Sequence, residues 1–164
     1  MKTAPTDSHR DHTLNDGSPT IDEQAGHCFA CGPSNPEGLH LVFTFDNEAQ
    51  TATALVNLTR VHEGPPGHIH GGIIATLMDE AMSKLNRPLG VIAMTRHMEV
   101  DYLRPSPLGV ELKLTGHHVR RDGRKLFHEA ALKLPDGTVL AKAKGVFVVL
   151  DEAVIAAAKA SGRI

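Results

Sequence analysis

The chain has 164 residues, 41% apolar and 22% charged, with a net charge of −2. That is one ordinary domain, able to bury roughly 70% of its unfolded-chain surface without a staple. The composition excludes a disordered chain or a bundle of membrane spans, and the lack of any basic block argues against a nucleic-acid surface. With no Trp, one Tyr and five Phe, the core has to be built from Leu, Val, Ile, Ala and Met.

Residues 1–20 mix Thr, Asp, His, Ser, Asn, Gly and Pro without apolar period and read as a mobile tail. The boundary is set so that 1–22 is tail and 23–164 is the domain. No apolar h-region or 20-residue apolar run occurs, so no membrane partner and a cytoplasmic location are expected. Residues 26–38, GHCFACGPSNPEG, are dense in turn formers and predict a structured knuckle. Leu39, Leu41, Phe43 and Phe45 alternate with polar and small residues, which predicts a first strand; residues 51–58 predict a second. Gly64, Pro65, Pro66 and Gly67 make a loop. Residues 72–86 predict a helix that is apolar nearly all round and therefore buried, ended by Arg87–Pro88. Four strand-like runs follow, at 91–103, 110–120, 126–134 and 138–150. Asp122–Gly123 and Asp136–Gly137 mark turns, and an Ala-rich terminal helix is expected over 151–160. Strand, strand, buried helix and a four-strand meander predict an α+β domain. In it a curved antiparallel sheet of five or six strands wraps one central helix.

The stretch Gly67–Gly72, GHIHGG, runs straight into the helix that carries Asp79 and Glu80. Gly71 and Gly72 let a ligand approach the backbone, and the first-turn N–H groups of a helix can hold a carbonyl oxygen as charge develops on it. The plainer role of the two glycines is a tight turn. Asp79, a carboxylate in a greasy helix, requires a partner or a purpose. Either it pairs with Arg96, Arg104 or Lys84, or it acts on a substrate. It stands two turns from Gly72, roughly 10 Å along the axis, so one carbonyl cannot touch both within one chain. Two helices related by a two-fold axis would bring them together, which predicts a homo-oligomer with shared sites. Glu80, 100° further round, is expected to face elsewhere.

The segments HIHGGIIATLMDEAM, TRHMEVDYLRPSPLG and DGTVLAKAKGVFVVL resemble the hotdog thioesterases of the PaaI and THEM4-like type, and CFACGPSNPEGLHLVF resembles the opening of the THEM4-like members. The resemblance covers about residues 27–150. It implies an acyl-CoA thioesterase in which Gly71 supplies the oxyanion donor with His70 beside it. It further implies Asp79 as nucleophile or general base, Thr95 as the holder of the attacking water, and Gly72 lining the substrate site. Arg120, Arg121, Arg124 and Lys125, flanking the Asp122–Gly123 turn, resemble a CoA phosphate-contacting hairpin, the alternative being a solvated tip. Several relatives carry Asn or Gln six residues before the histidine; here Gly64 stands there, with His62, Glu63 or His68 as substitutes. The expected partners are an acyl-CoA substrate and further copies of the chain, in a dimer or a dimer of dimers. A dehydratase or hydratase with His68 or His70 as base, and a non-enzymatic acyl-CoA-binding module, are the competing functions. No cofactor or catalytic metal is expected: His68 and His70 lack a second pair, and zinc at Cys28 and Cys31 would need His27, His9 or His12 to complete it.

Overall fold

The structure is a computed structural model that describes residues 26–162; the expected tail over 1–22, with His9 and His12, lies outside them. Six strands, β1 (Thr44–Asp46), β2 (Thr51–Val56), β3 (Ala93–Tyr102), β4 (Leu112–Asp122), β5 (Lys125–Lys133) and β6 (Val139–Val149), form one antiparallel sheet in the order β1-β2-β4-β5-β6-β3. The helix α1 (Gly71–Ser83), extended by a 3-10 turn at Lys84–Asn86, lies against the inner face, and α2 (Glu152–Ala160) closes the described chain. This is the hotdog arrangement that the order of elements led one to expect. None of the described helices is long and apolar enough to cross a membrane.

The buried stripe of the helix is Ile74, Leu77, Met78, Ala81 and Met82, continued by Leu85. That spacing of three and four residues is the mark of one buried face, so the helix is less uniformly enclosed than its composition implied; Ile73 and Ala75 are only half-buried. Opposite it the sheet presents small residues: Ala52, Ala54, Ala130, Ala141 and Ala143 are all buried. At Gly116 an added Cβ would run into the helix carbonyl of Ala81, coming 2.8 Å from its carbon, and at Gly145 it would lie 2.9 Å from the sulfur of Met82. Helix and sheet thus approach more closely than side chains at these positions would allow.

Two expectations are corrected. The first strand spans only Thr44–Asp46. Residues 39–43 join no strand ladder, with His40 at φ 50°, and bond instead to the knuckle, Leu39 N–H to Phe29 O and Leu41 N–H to Ala30 O, because Ala30 and Leu41 share the core. The four later strands are not a simple meander either. β4, β5 and β6 are, but β3 crosses to the far edge and pairs with β6. The knuckle itself forms as expected, closed by Gly32 N–H to Cys28 O and Ser34 N–H to Gly26 O.

Candidate active site

The loop before α1 is tied down from several sides. Gly64 N–H bonds to His68 O, Ile69 N–H to Ser106 O and His70 N–H to His62 O. His70 ends in extended backbone and caps the helix: its Nδ1 accepts from Gly72 N–H at 2.9 Å. An imidazole nitrogen that accepts carries no proton, so the neutral ring holds its proton on Nε2, as a donor. Gly72's N–H is therefore already engaged. Gly71's N–H, at the first helical position, has no acceptor among the described residues, at the end of the helix where negative charge is favoured. Tyr102 on β3, which the sequence did not single out, donates its hydroxyl to Gly71 O at 3.0 Å. Its ring stands 3.6 Å from where a Gly71 Cβ would be. A lone tyrosine in an exposed strand offered no signal of that contact.

Gly64 has a steric explanation. A Cβ there would come 2.8 Å from Cα of His70 and 3.2 Å from its Cβ, so no amide side chain fits. Its neighbours hold the loop together. Glu63 Oε1 accepts from Gly67 N–H at 2.7 Å, His68 Nδ1 donates to Pro66 O at 2.9 Å, and His62 Nδ1 lies 3.2 Å from Thr59 N.

Asp79 stands beside the buried stripe, half-buried, and its Oδ1 accepts from the hydroxyl of Thr95 at 2.7 Å. Neither Arg96, Arg104 nor Lys84 pairs with it: among the described residues no cation lies within salt-bridge distance of Asp79. Arg104 instead donates to Val139 O, and Lys84 pairs with Glu80 at 3.0 Å. The register of β3 on β6 slips between Thr95 and His97; a bulge of this kind re-aims the neighbouring side chain. The Asp79–Thr95 pair and the His70–Gly71 turn thus lie about 12 Å apart along one helix, by its eight-residue rise. The fold brings each pair together but does not join the two pairs within one chain.

The basic hairpin lies at the Thr95 end of the sheet. Thr95 registers on Phe147 and Phe147 on Leu126, so the β4–β5 turn is two strands away, roughly 10 Å. Arg120 stacks 3.5 Å over Phe127, Arg121 donates to Gly123 O, and Arg124 donates to Val149 O and pairs with Asp151 at 2.9 Å. Lys125 is exposed, with no ion pair among the described residues. A concavity of about 860 Å³ lies elsewhere, on the outer face among Lys113, His117, Glu129, Lys133 and Lys144. It meets neither Asp79 nor the helix start.

Glu80 faces away from Thr95, toward Lys84 and the two cysteines. Burial, then Glu80, pushes the Cys31 thiol up to about 12, so it is no activated nucleophile.

A buried helix under a six-stranded antiparallel sheet defines a hotdog protein, and the glycine turn at the helix start and the Asp79 carboxylate two turns on are its candidate site. The comparisons agree. Residues 66–141 match the family profile described as thioesterase superfamily. A solved thioesterase superfamily protein is 32% identical, with TM-score 0.72 over 88% of this chain and 69% of its own. Acyl-coenzyme A thioesterase THEM4 of Bos taurus is 28% identical over 124 residues, 75% of this chain and 51% of that protein. A Streptococcus mutans protein solved with acetyl-CoA bound shares the fold at 21% identity and TM-score 0.62, over 67% of this chain and 88% of its own. The chain belongs to the thioesterase superfamily. It spans about half the length of the curated relatives it matches.

Proposed function

We propose that the chain hydrolyses acyl-CoA thioesters at sites shared between two copies. The observation that carries this reading is the Asp79–Thr95 pair: a carboxylate with a 2.7 Å hydroxyl partner and, among the described residues, no counter-cation, on the helix whose first N–H has no acceptor among those residues. Thr95 donates its hydroxyl hydrogen bond to Oδ1 of Asp79, so its own lone pairs can accept from a water while Oδ2 takes that water's proton. This favours Asp79 as general base over nucleophile. The water oxygen attacks the thioester carbon, and the carbonyl oxygen takes up the charge against Gly71 N–H and the Nε2–H of His70 from the second copy. Collapse breaks the carbon–sulfur bond, the proton on Asp79 passes to the leaving sulfur, and free acid and CoA result.

Support for the second copy comes from β3. It is an edge strand ten residues long, with large exposed apolar side chains at Met94 and Tyr102. A long open edge of this kind calls for cover, and a two-fold pairing through this side would carry one copy's helix start toward the other's Asp79. The CoA carrier is inferred from the names of the relatives, with Lys125 and the hairpin arginines as phosphate partners.

The test is thiol release from phenylacetyl-, benzoyl- and medium-chain acyl-CoA. Asp79→Ala should lower kcat by at least ~10²-fold, as for loss of an essential base. A variant as fast as the parent removes Asp79 from the reaction; hydration of an enoyl-CoA without thiol release would identify a hydratase instead.

A further inference from the structure

The hydrolytic chemistry leaves one cluster unused, on the other flank of α1. Cys28, Cys31 and Glu80 bring one donor atom each to within 4.8 Å of one another. The knuckle that presents the two sulfurs is closed by Gly32 N–H on Cys28 O at 2.8 Å, and a Cβ on Gly32 would stand 2.6 Å from that same oxygen. Only glycine closes this turn as built. The third donor comes from a different element, 49 residues away, so the grouping is tertiary. A positive charge already sits there: Lys84 Nζ lies 2.9 Å from Cys31 Sγ and 3.0 Å from Glu80 Oε1. Two of the three donors therefore share one cation, carried by a side chain 28% exposed and free to swing outward.

We propose that Cys28, Cys31 and Glu80 bind a divalent zinc-class ion that displaces the Lys84 ammonium, with water as fourth ligand. Two soft thiolates and one carboxylate suit zinc, whose bonds of about 2.3 Å to sulfur and about 2.0–2.2 Å to oxygen need these donors to draw together by about 1 Å. Both thiols release their protons to solvent and no electron moves, so no oxidant is involved. The ion would fasten the knuckle to the helix that carries Asp79. Glu80 is the ligand that sequence spacing missed: no fourth Cys or His pattern points to it.

The experiment uses the full chain, reduced with a non-thiol phosphine. Zinc(II) is titrated in competition with a chromophoric chelator, and cobalt(II) is used in parallel as the spectroscopic probe. One zinc per chain is expected, with thiolate-to-cobalt charge-transfer bands. Cys28→Ser, Cys31→Ser and Glu80→Gln should each weaken zinc by at least ~10-fold. Lys84→Gln should tighten it by at least ~10-fold, because a like charge leaves the site, in a chain whose circular dichroism matches that of the parent. Absence of zinc uptake in both the parent and Lys84→Gln overturns the proposal. So does uptake indifferent to the cysteines, unchanged affinity in Lys84→Gln, or a cobalt spectrum without thiolate bands. None of these readouts involves thioester hydrolysis, so either reading can fail without the other.

Discussion

A site divided between copies makes a prediction that no single-chain site can imitate. Gly71 is the first helical residue, and His70 before it has φ −61° and ψ 137°, the extended conformation that a following proline requires. Proline is favoured at that helical position, and it deletes the one N–H at issue. A Cβ there meets Tyr102 at an ordinary 3.6 Å. Gly71→Pro should therefore fold and lose about 10²–10³-fold in kcat, the cost of removing an oxyanion donor, while Gly71→Ala, which keeps the N–H, should stay active. Asp79→Asn should be inactive as well. The two inactive chains are then unfolded together in equal amounts and refolded. Half of the paired interfaces become mixed, and each mixed interface holds one intact site out of two, combining Asp79 of one chain with Gly71 of the other. The mixture should recover about a quarter of the activity of parent chain taken through the same cycle. The division of the site follows from the separation along α1: about 12 Å divides Gly71 from Asp79 in one chain, whereas a single carbonyl needs both within about 3 Å. Recovery no greater than the two inactive parents, with refolded wild type active, would place the whole site in one chain and refute the reasoning.

Three further outcomes follow from buried geometry. His128, 1% exposed, donates from Nε2 to Asn86 Oδ1 and accepts at Nδ1 from His118, each at 3.1 Å; burial, then the neighbouring His118, lowers it to about 4. Folded protein then binds fewer protons than unfolded protein between pH 6.5 and 4. This contribution is present above pH 6.5 and lost as pH falls toward 4, about 3 kcal/mol at most. Urea unfolding at fixed protein concentration should show the loss, and His128→Gln should flatten the slope; an equally steep variant would assign the slope to other groups. Gly64→Ala should displace His70 and cost roughly 10-fold or more in kcat/KM, as small misplacements near a reacting group do; an unchanged rate would show that the loop yields. Gly116→Ala should destabilise by about 1–3 kcal/mol in thermal or urea unfolding through overpacking against Ala81, and a neutral result would mean that α1 shifts freely on the sheet.

How far these features could be read in the sequence depends on whether the signal was local. The helix was legible because its long apolar run is ended by Arg87–Pro88, and the Asp-Gly turns because such pairs close hairpins cheaply. Residues 39–45 alternate like one strand, yet only Thr44 and Phe45 pair with β2, while Leu39 and Leu41 bond to the knuckle, since Ala30 and Leu41 meet in the core; alternation says which face is buried, not what lies alongside. The place of β3 beyond β6 was invisible for the same reason: sequence neighbours usually pair in space, and nothing local marks an exception. At the candidate site the distinction is sharper. His70, Gly71 and Asp79 stand out because a glycine pair at a helix start and a charge in an apolar helix are both unusual. Thr95, a plain strand residue, entered only through family resemblance, and Tyr102 did not enter at all. Each of the latter owes its importance to one contact across the fold, at 2.7 Å and 3.0 Å. Glu80 shows the converse. One helical step from Asp79 turns its side chain by 100°, so it was expected to face elsewhere, yet nothing local said that it would meet Cys28 and Cys31.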